Sequence, residues 1–385
     1  MKCSYKITNG RVIDPAAGIN AIKDIYVRNS RIVDIPAGQD VEIGEVIDAT
    51  DCLVVPGLID FHTHLNRGNS DLGINPDLMT LPNGITSAVD AGSTGSANFE
   101  GFYKDIVCAA DITIKSFIHV SAIGVMAERC NESPDPEHYD PDRIEYMFER
   151  YPQQLLGIKV RIGQNFSRQF GLEPLLVAKN LATRMNTALC VHAVHPESPY
   201  DDILKPLTKG DILCHCFQAK GSYSILDENG KISAVARDAR SRGVIFDAAS
   251  GRANYNFGVA RSAIQDGFFP DIISTDVVTY SMYTRKVFSL PWVLSAYLAL
   301  GMPLHEALRA VTQNPAKLMG MDGQIGTLAS GALADIAILK IHHQPMAFND
   351  PFGNNIFGNQ LLVPMATFKA GRCAFMRIEF AFQPA

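Results

Sequence analysis

No Lys/Arg-rich run occurs anywhere in the chain, and its formal charge is −6. Binding a phosphate backbone needs a basic patch, so no nucleic-acid partner is expected. There is also no uninterrupted apolar stretch of the ~18 residues that span a bilayer, and the opening MKCSYKITNGRVIDP lacks the apolar region of a secretory signal. No membrane partner is expected either, and the expected location is cytoplasmic. The eight cysteines, at 3, 52, 108, 130, 190, 214, 216 and 373, never fall at C-x-x-C spacing. Several sit inside apolar runs, which suits buried, reduced thiols rather than a disulfide framework. Cys214-His215-Cys216 puts thiols beside an imidazole, but strand alternation would turn both cysteines to the face opposite His215, against a zinc thiolate site. The G-x-S-x-G elbow, the P-loop and H-E-x-x-H are missing as well.

What is present is an ordinary globular composition, 47% hydrophobic and 19% charged over 385 residues. That is more than a single α/β barrel of about 250 residues needs, so one large domain with a small one is expected. Residues 1–52 read as short strands broken by turn signals such as Asn9-Gly10. The same texture returns in GQIGTLASGALADIAILKI and LLVPMATFKAGRCAFMRI, and neither end is long enough to bury much core alone. The two ends are therefore expected to pair into one β-sandwich, 1–53 with 322–385, flanking a central domain at 54–321.

In that central domain apolar strands alternate with helical periodicity. Strands are expected at 54–65, 84–92, 113–122, 155–163, 188–195, 211–218, 243–250 and 271–278. Helices are clearest in GLEPLLVAKNLATRM, KISAVARDARS, NYNFGVARSAIQDG and PLHEALRAVTQNPAKLMG. Eight strand–helix units make the α/β fold of a (β/α)8 TIM barrel, whose site lies at the C-terminal ends of its strands. The long polar stretches 65–83 and 123–143 fall at that mouth, where they would shape substrate access.

The chemistry begins at LVVPGLIDFHTHL. On a regular strand His62 and His64 share a face and can grip one metal, while Asp60 on the same face would accept an imidazole N–H and orient the ring. Lys159 on the fourth strand, His192 on the fifth, His215 on the sixth and Asp276 on the eighth all fall where strands meet the barrel mouth. Each alone has a duller structural explanation, but five strands contributing one consistent set does not.

With D-F-H-T-H on strand one, a lysine on strand four, single histidines on strands five and six and an aspartate on strand eight, the sequence resembles the amidohydrolase superfamily over nearly its whole length. The resemblance implies two divalent metal ions, usually zinc, bridged by a carboxylated lysine and a hydroxide. Carried over by motif, His62, His64 and Asp276 would hold one ion and His192 and His215 the other, with N6-carboxylysine at Lys159 between them. A lysine must be neutral to react with carbon dioxide, and burial beside cations, with Arg161 on the same face, would lower its pKa. Asp276 would be the catalytic residue that takes a proton from the hydroxide and delivers it to the leaving group.

Within the superfamily the sequence is most similar to the dihydroorotase, hydantoinase and deacetylase branch, especially to amidohydrolase/deacetylase metallohydrolases. Dihydroorotases typically carry a carboxylate-binding arginine two residues after the second histidine of strand one. Here that position is Asn66, with Arg67 one further on, and a slip of one residue redirects a side chain. Candidates for holding a substrate carboxylate are Arg161, Asn66, Arg67, Arg252 and Tyr280. The expected activity is deacylation of a small carboxylate-bearing amide or ester. Opening of a cyclic amide, as in dihydroorotase or hydantoinase, is the alternative, and a non-catalytic amidohydrolase-like scaffold a remote one. The expected partner is a small-molecule substrate, and a homo-oligomer is compatible with the sequence.

Overall fold

Seven parallel strands lie side by side in the order in which the chain makes them: β1 (Leu58–Thr63), β2 (Ile85–Gly95), β3 (Thr113–His119), β4 (Leu155–Ile162), β5 (Ala188–Ala193), β6 (Ile212–Cys214) and β7 (Ile245–Phe246). The computed structural model describes residues 1–127, 129 and 132–382, so Cys130 lies outside the described residues. The eighth expected strand, 271–278, is not a regular strand, yet it closes the ring. On one side Ala248 N–H donates to Ile272 O at 3.0 Å; on the other, Asp276 N–H donates to His62 O at 2.8 Å and His64 N–H to Val277 O at 3.2 Å. Its ladder is interrupted because the Asp60 carboxylate takes the N–H of Thr275, and because Asp276 adopts a φ of 48°. The fold is a (β/α)8 barrel.

Alternation along the strands divides the core. Ile158, Val160 and Ile162 of β4, like Leu189, Val191 and Ala193 of β5, pack outward against the helices. Ile59, Phe61, Val89, Phe117, Cys190 and Ile212 pack together inside and make the barrel floor, with Phe61 and Phe117 edge to face at 6.0 Å. The helices form where periodicity and caps coincide. In Glu173–Arg184, Leu175, Ala178, Leu181 and Ala182 are the buried stripe. Ser233 accepts from Ala236 N–H to start Ala234–Ser241, and Asn256 accepts from Gly258 and Val259 N–H to start Phe257–Gln265. The expected helix in 303–320 is two, Leu304–Arg309 and Gln313–Leu318. Pro315 forbids one continuous helix, since its ring would meet the carbonyl four residues back.

The chain ends make two sheets. One has four strands, in the order Arg31–Val33, Ile25–Arg28, Lys2–Thr8, Glu42–Asp48. The other has six, in the order Arg372–Met376, Asn355–Lys369, Ile336–Asn349, Cys52–Pro56, Arg11–Asp14, Ile19–Ile22. Ile7, Val27, Ile32 and Ile47 of the first share an apolar cluster with Val12, Val54, Ile336, Ile338 and Ala366 of the second. Two buried carboxylates pin this unit. Asp14 accepts from Thr327 Oγ1 at 2.8 Å and Leu328 N–H at 2.7 Å. Asp335 pairs with Lys369 Nζ at 2.7 Å, and the same ammonium reaches Thr113 Oγ1 of β3 at 2.8 Å. Replacing Asp335 by alanine would strand a buried ammonium, so Asp335→Ala is expected to destabilise the fold by about 3–5 kcal/mol, read from the shift in a denaturant melt.

Candidate metal centre and active site

His62 and His64 reach the cavity only because β1 is irregular. The register between β1 and β2 shifts between Asp60 and Thr63. Phe61 thus joins the barrel floor with Ile59, yet His62 and His64 both line the cavity above it. This shift corrects the role expected of Asp60. Its carboxylate turns to the closing segment, accepting from Thr275 N–H at 3.0 Å and Thr275 Oγ1 at 2.6 Å. The partner of His62 Nδ1 is Asp247 Oδ2 at 3.1 Å, from just beyond β7. Burial lifts both carboxyls, Asp60 to about 7 and Asp247 to about 6, against their hydrogen bonds to Thr275 and Ser274.

A second break places His215. Cys214 ends β6, and His215 follows with a φ of 54°. Both side chains consequently turn inward, against the alternation expected from the sequence: Cys214 Sγ lies 3.7 Å from Lys159 Nζ and 3.2 Å from Cys190 Sγ. Cys216 packs on the outer layer.

The six expected groups converge. The ligand atoms of His62, His64 and Asp276 lie within 4.8 Å of one another, with Asp276 Oδ1 3.6 Å from His62 Nε2 and 3.4 Å from His64 Nε2. Lys159 Nζ is buried 3.5 Å from His62 Nε2. The rings of His192 and His215 stand 4.4 Å apart, and those of His215 and His62 5.2 Å apart. His62, His64, Lys159, His192 and Asp276 line a cavity of about 580 Å³ at the mouth of the barrel.

Protonation suits this set to a metal. Burial, reinforced for His62 by the Lys159 charge and for His192 by His215, holds both imidazoles well below the usual histidine range; burial brings His215 to about 3. Neutral rings offer one lone pair each, and the surroundings decide where. Asp247 accepts from His62 Nδ1–H, and Ala249 O accepts from His215 Nδ1–H at 2.7 Å, so both lone pairs sit on Nε2. Nε2 of His192 and Nε2 of His215 are buried and, among the described residues, have no hydrogen-bond partner. Two neutral, unpartnered imidazole nitrogens on rings 4.4 Å apart are suited to a divalent cation. Burial pushes Asp276 up, but its contact with His64 and the potential of His215 and His62 outweigh this and hold it ionised, well below the usual carboxylate range.

Lys159 departs from expectation. Burial presses its ammonium toward neutrality, but Cys190, Cys214, Asp276 and Asp247 outweigh that and hold its pKa above the usual lysine range. The chain alone surrounds this amine with acidic groups, and cations at the same place would reverse the sign.

The proposed substrate contacts divide. Arg161 and Arg252 line the cavity, whereas Asn66, Arg67 and Tyr280 do not. Beyond β1 the chain folds back at once, with Arg67 N–H donating to Leu65 O at 2.7 Å and Ile74 N–H to His64 O at 3.0 Å. Strand phase is lost there: Asn66 is buried away from the cavity and Arg67 is exposed. Tyr280 is an exposed ring beside Arg252, whose guanidinium lies 6.0 Å from its centre. Arg161 sits over Phe166 at 3.7 Å and contacts the Glu132 carboxylate at 3.3 Å. Burial works against the charge on Glu132, but Arg161 and His119 hold it down at about 2. His119, which lines no part of the cavity, thus supports Glu132 at 3.4 Å.

Sequence reasoning missed Asp247, Ser93 at 2.8 Å from His64 Nδ1, Glu132, and the cavity-lining Lys220 and Asn254. For Asp247 there was a signal: a lone carboxylate in an apolar strand requires a partner. The two long mouth loops do shape the cavity, since Leu72 and Val125 meet Val278 in an apolar patch on its wall.

A (β/α)8 barrel with histidines, a lysine and an aspartate gathered at its strand ends has the make-up of a hydrolytic enzyme. Comparison with known proteins specifies the class. The chain matches the amidohydrolase family over residues 53–361. It is 32% identical over 323 residues to a deacetylase of Brucella anthropi, covering 83% of this chain and 79% of that one. It is likewise 32% identical over 311 residues to a deacetylase of Agrobacterium fabrum, covering 80% and 75%. Among solved structures it superposes on an adenine deaminase with a TM-score of 0.86 at 27% identity, covering 96% of this chain and 99% of that one. On a dihydroorotase the TM-score is 0.85 at 28% identity, covering 96% and 97%. The chain belongs to the amidohydrolase family and is a hydrolase acting on carbon–nitrogen bonds. Among the described residues no helix is long and apolar enough to cross a membrane.

Proposed function

We propose that the protein is a binuclear metal-dependent deacylase that cleaves the amide or ester bond of a small carboxylate-bearing compound. The observation that carries this reading is the pair of buried, unpartnered Nε2 atoms on His192 and His215 beside Lys159 and the His62–His64–Asp276 group. In it His62, His64 and Asp276 would hold one divalent ion, zinc being the expected metal, and His192 and His215 the other. Lys159, once neutral, could add carbon dioxide with release of a proton, and its carbamate would supply a further anionic ligand. Bound cations supply acidification of water to a pKa of about 7 and polarisation of the scissile carbonyl.

The chain's own residues do the rest. Asp276, ionised between the two histidines of β1, accepts the proton of the attacking water and returns it to the leaving nitrogen or oxygen. The patch of Leu72, Val125 and Val278 offers an apolar seat for an acyl group, while the basic side chains on the same cavity, Arg161, Lys220 and Arg252, give the other part of its wall a positive potential that suits a carboxylate. Asp247 orients His62 by accepting its Nδ1–H. Asp247→Ala is therefore expected to lower metal affinity or kcat/KM by about 10–100-fold, measured by metal titration and steady-state kinetics.

The reading is tested by a hydrolysis screen of N-acyl amino acids, O-acyl hydroxy acids and cyclic ureides with the metal-loaded protein, following acid release. Turnover of the acyl compounds supports it. Turnover of cyclic ureides alone would transfer the assignment to ring opening, which the likeness to a dihydroorotase structure favours.

A further inference from the structure

Apart from Lys159, at the foot of the site, three cations line the cavity: Arg161, Lys220 and Arg252. They are not equivalent. The charge of Arg161 is already met by Glu132, at 3.3 Å from both Nε and Nη1, and its flat face is occupied by Phe166. Arg252 stands out toward the exposed Tyr280 ring. Lys220 is half-buried in the loop beyond β6, and its ammonium meets a neutral group, donating to Asn254 Oδ1 at 3.5 Å. The other end of that same amide, Nδ2, donates to Asp276 Oδ2 at 3.4 Å. The chemistry of the two neighbours fixes the amide's orientation, since its oxygen must face the ammonium and its nitrogen the carboxylate. One carboxamide thus separates a cavity-facing cation from the aspartate assigned to proton transfer.

We propose that Lys220 is the residue that reads the substrate's carboxylate, and that Asn254 is a positioning residue that holds the Lys220 ammonium in register with Asp276. This rests on the reading of the site as a deacylase of carboxylate-bearing compounds. A partly desolvated ammonium with a neutral partner has charge to give to an anion, whereas one already paired with a carboxylate does not. Lys220 reaches the cavity from the sixth strand's loop and Asn254 from the seventh's, so an anion held there lies on the same side of the mouth as Asp276.

The test compares an N-acyl amino acid with its methyl ester, in which the amide is kept and the charge removed. In Lys220→Gln the ratio of kcat/KM for acid over ester is expected to fall by about 10–100-fold, mainly through KM, while Lys220→Arg keeps most of the preference. Asn254→Ala is expected to reduce the ratio less, and to add nothing in the Lys220→Gln background. An equal loss on both substrates in Lys220→Gln, or an undiminished ratio, would overturn the proposal; so would an Asn254→Ala effect that persists in full without Lys220. A second readout separates this from the hydrolase reading. The non-hydrolysable N-methanesulfonylalanine is titrated calorimetrically into metal-loaded and chelator-treated protein. If no acyl compound is turned over and Lys220→Gln still weakens this binding by about ten-fold, the deacylase reading falls and the anion site stands. Unchanged binding in Lys220→Gln would remove the anion site.

Discussion

Asp276→Asn is expected to lower kcat by about 10²–10⁴-fold on the acyl substrate that the screen identifies, while the barrel still folds. The substitution isolates proton transfer. Asparagine nearly matches aspartate in volume and tolerates the positive φ of 48° found here, so neither packing nor backbone is disturbed. What it removes is the charge now held ionised between His62 and His64, at 3.6 and 3.4 Å. An amide accepts no proton and binds a cation weakly, so kcat and metal content should both fall. Steady-state rates, metal analysis and a thermal melt on one sample distinguish the outcomes. A fall in kcat of less than ten-fold with the melt unchanged would sink the assignment.

Stripping divalent cations with a chelator is expected to remove activity by about 10³-fold or more, and readdition of zinc, manganese or cobalt to restore it. The expectation follows from what the chain offers alone. The imidazoles of His192 and His215 are neutral and, among the described residues, their Nε2 atoms have no hydrogen-bond partner, while the acidic groups around Lys159 hold its pKa above the usual lysine range. In that arrangement a bound cation is what would bring the pKa of a water down to where Asp276 can take its proton. Lys159→Ala takes away the proposed bridge, so bound metal should drop from two ions per chain to one or fewer. Full activity after chelation would end the metal-hydrolase reading. Full metal content and activity in Lys159→Ala would end only its binuclear form.

The barrel was legible because parallel strands buried on both faces read as apolar runs, and amphipathic helices between them read as periodicity; neither depends on distant parts of the chain. The ligand-type residues were legible for a related reason. Histidine, lysine and aspartate are costly in an apolar strand unless something pays their desolvation, so His62, Lys159, His192 and Asp276 announced a purpose. Illegible were the departures from regularity. The bulge in β1 separates Asp60 from the histidines and hands the orienting role to Asp247 from the far side of the sequence. The positive φ at His215 turns it and Cys214 to the same interior. Alternation assumes unbroken strands, and sites sit where strands break.

By itself, then, the sequence determined the fold class, the eight-fold count and the set of candidate metal ligands, since these follow from local pattern and from the cost of burying polar groups. Tertiary structure alone decided which atoms meet. It placed Asp247 on His62, Glu132 on Arg161, and Lys220 on Asn254 on Asp276, and it sent Asn66 and Arg67 out of the cavity. Each of those pairs joins different strands or loops across a closed ring. The closure of the barrel, which no stretch of sequence carries alone, is what brings them together.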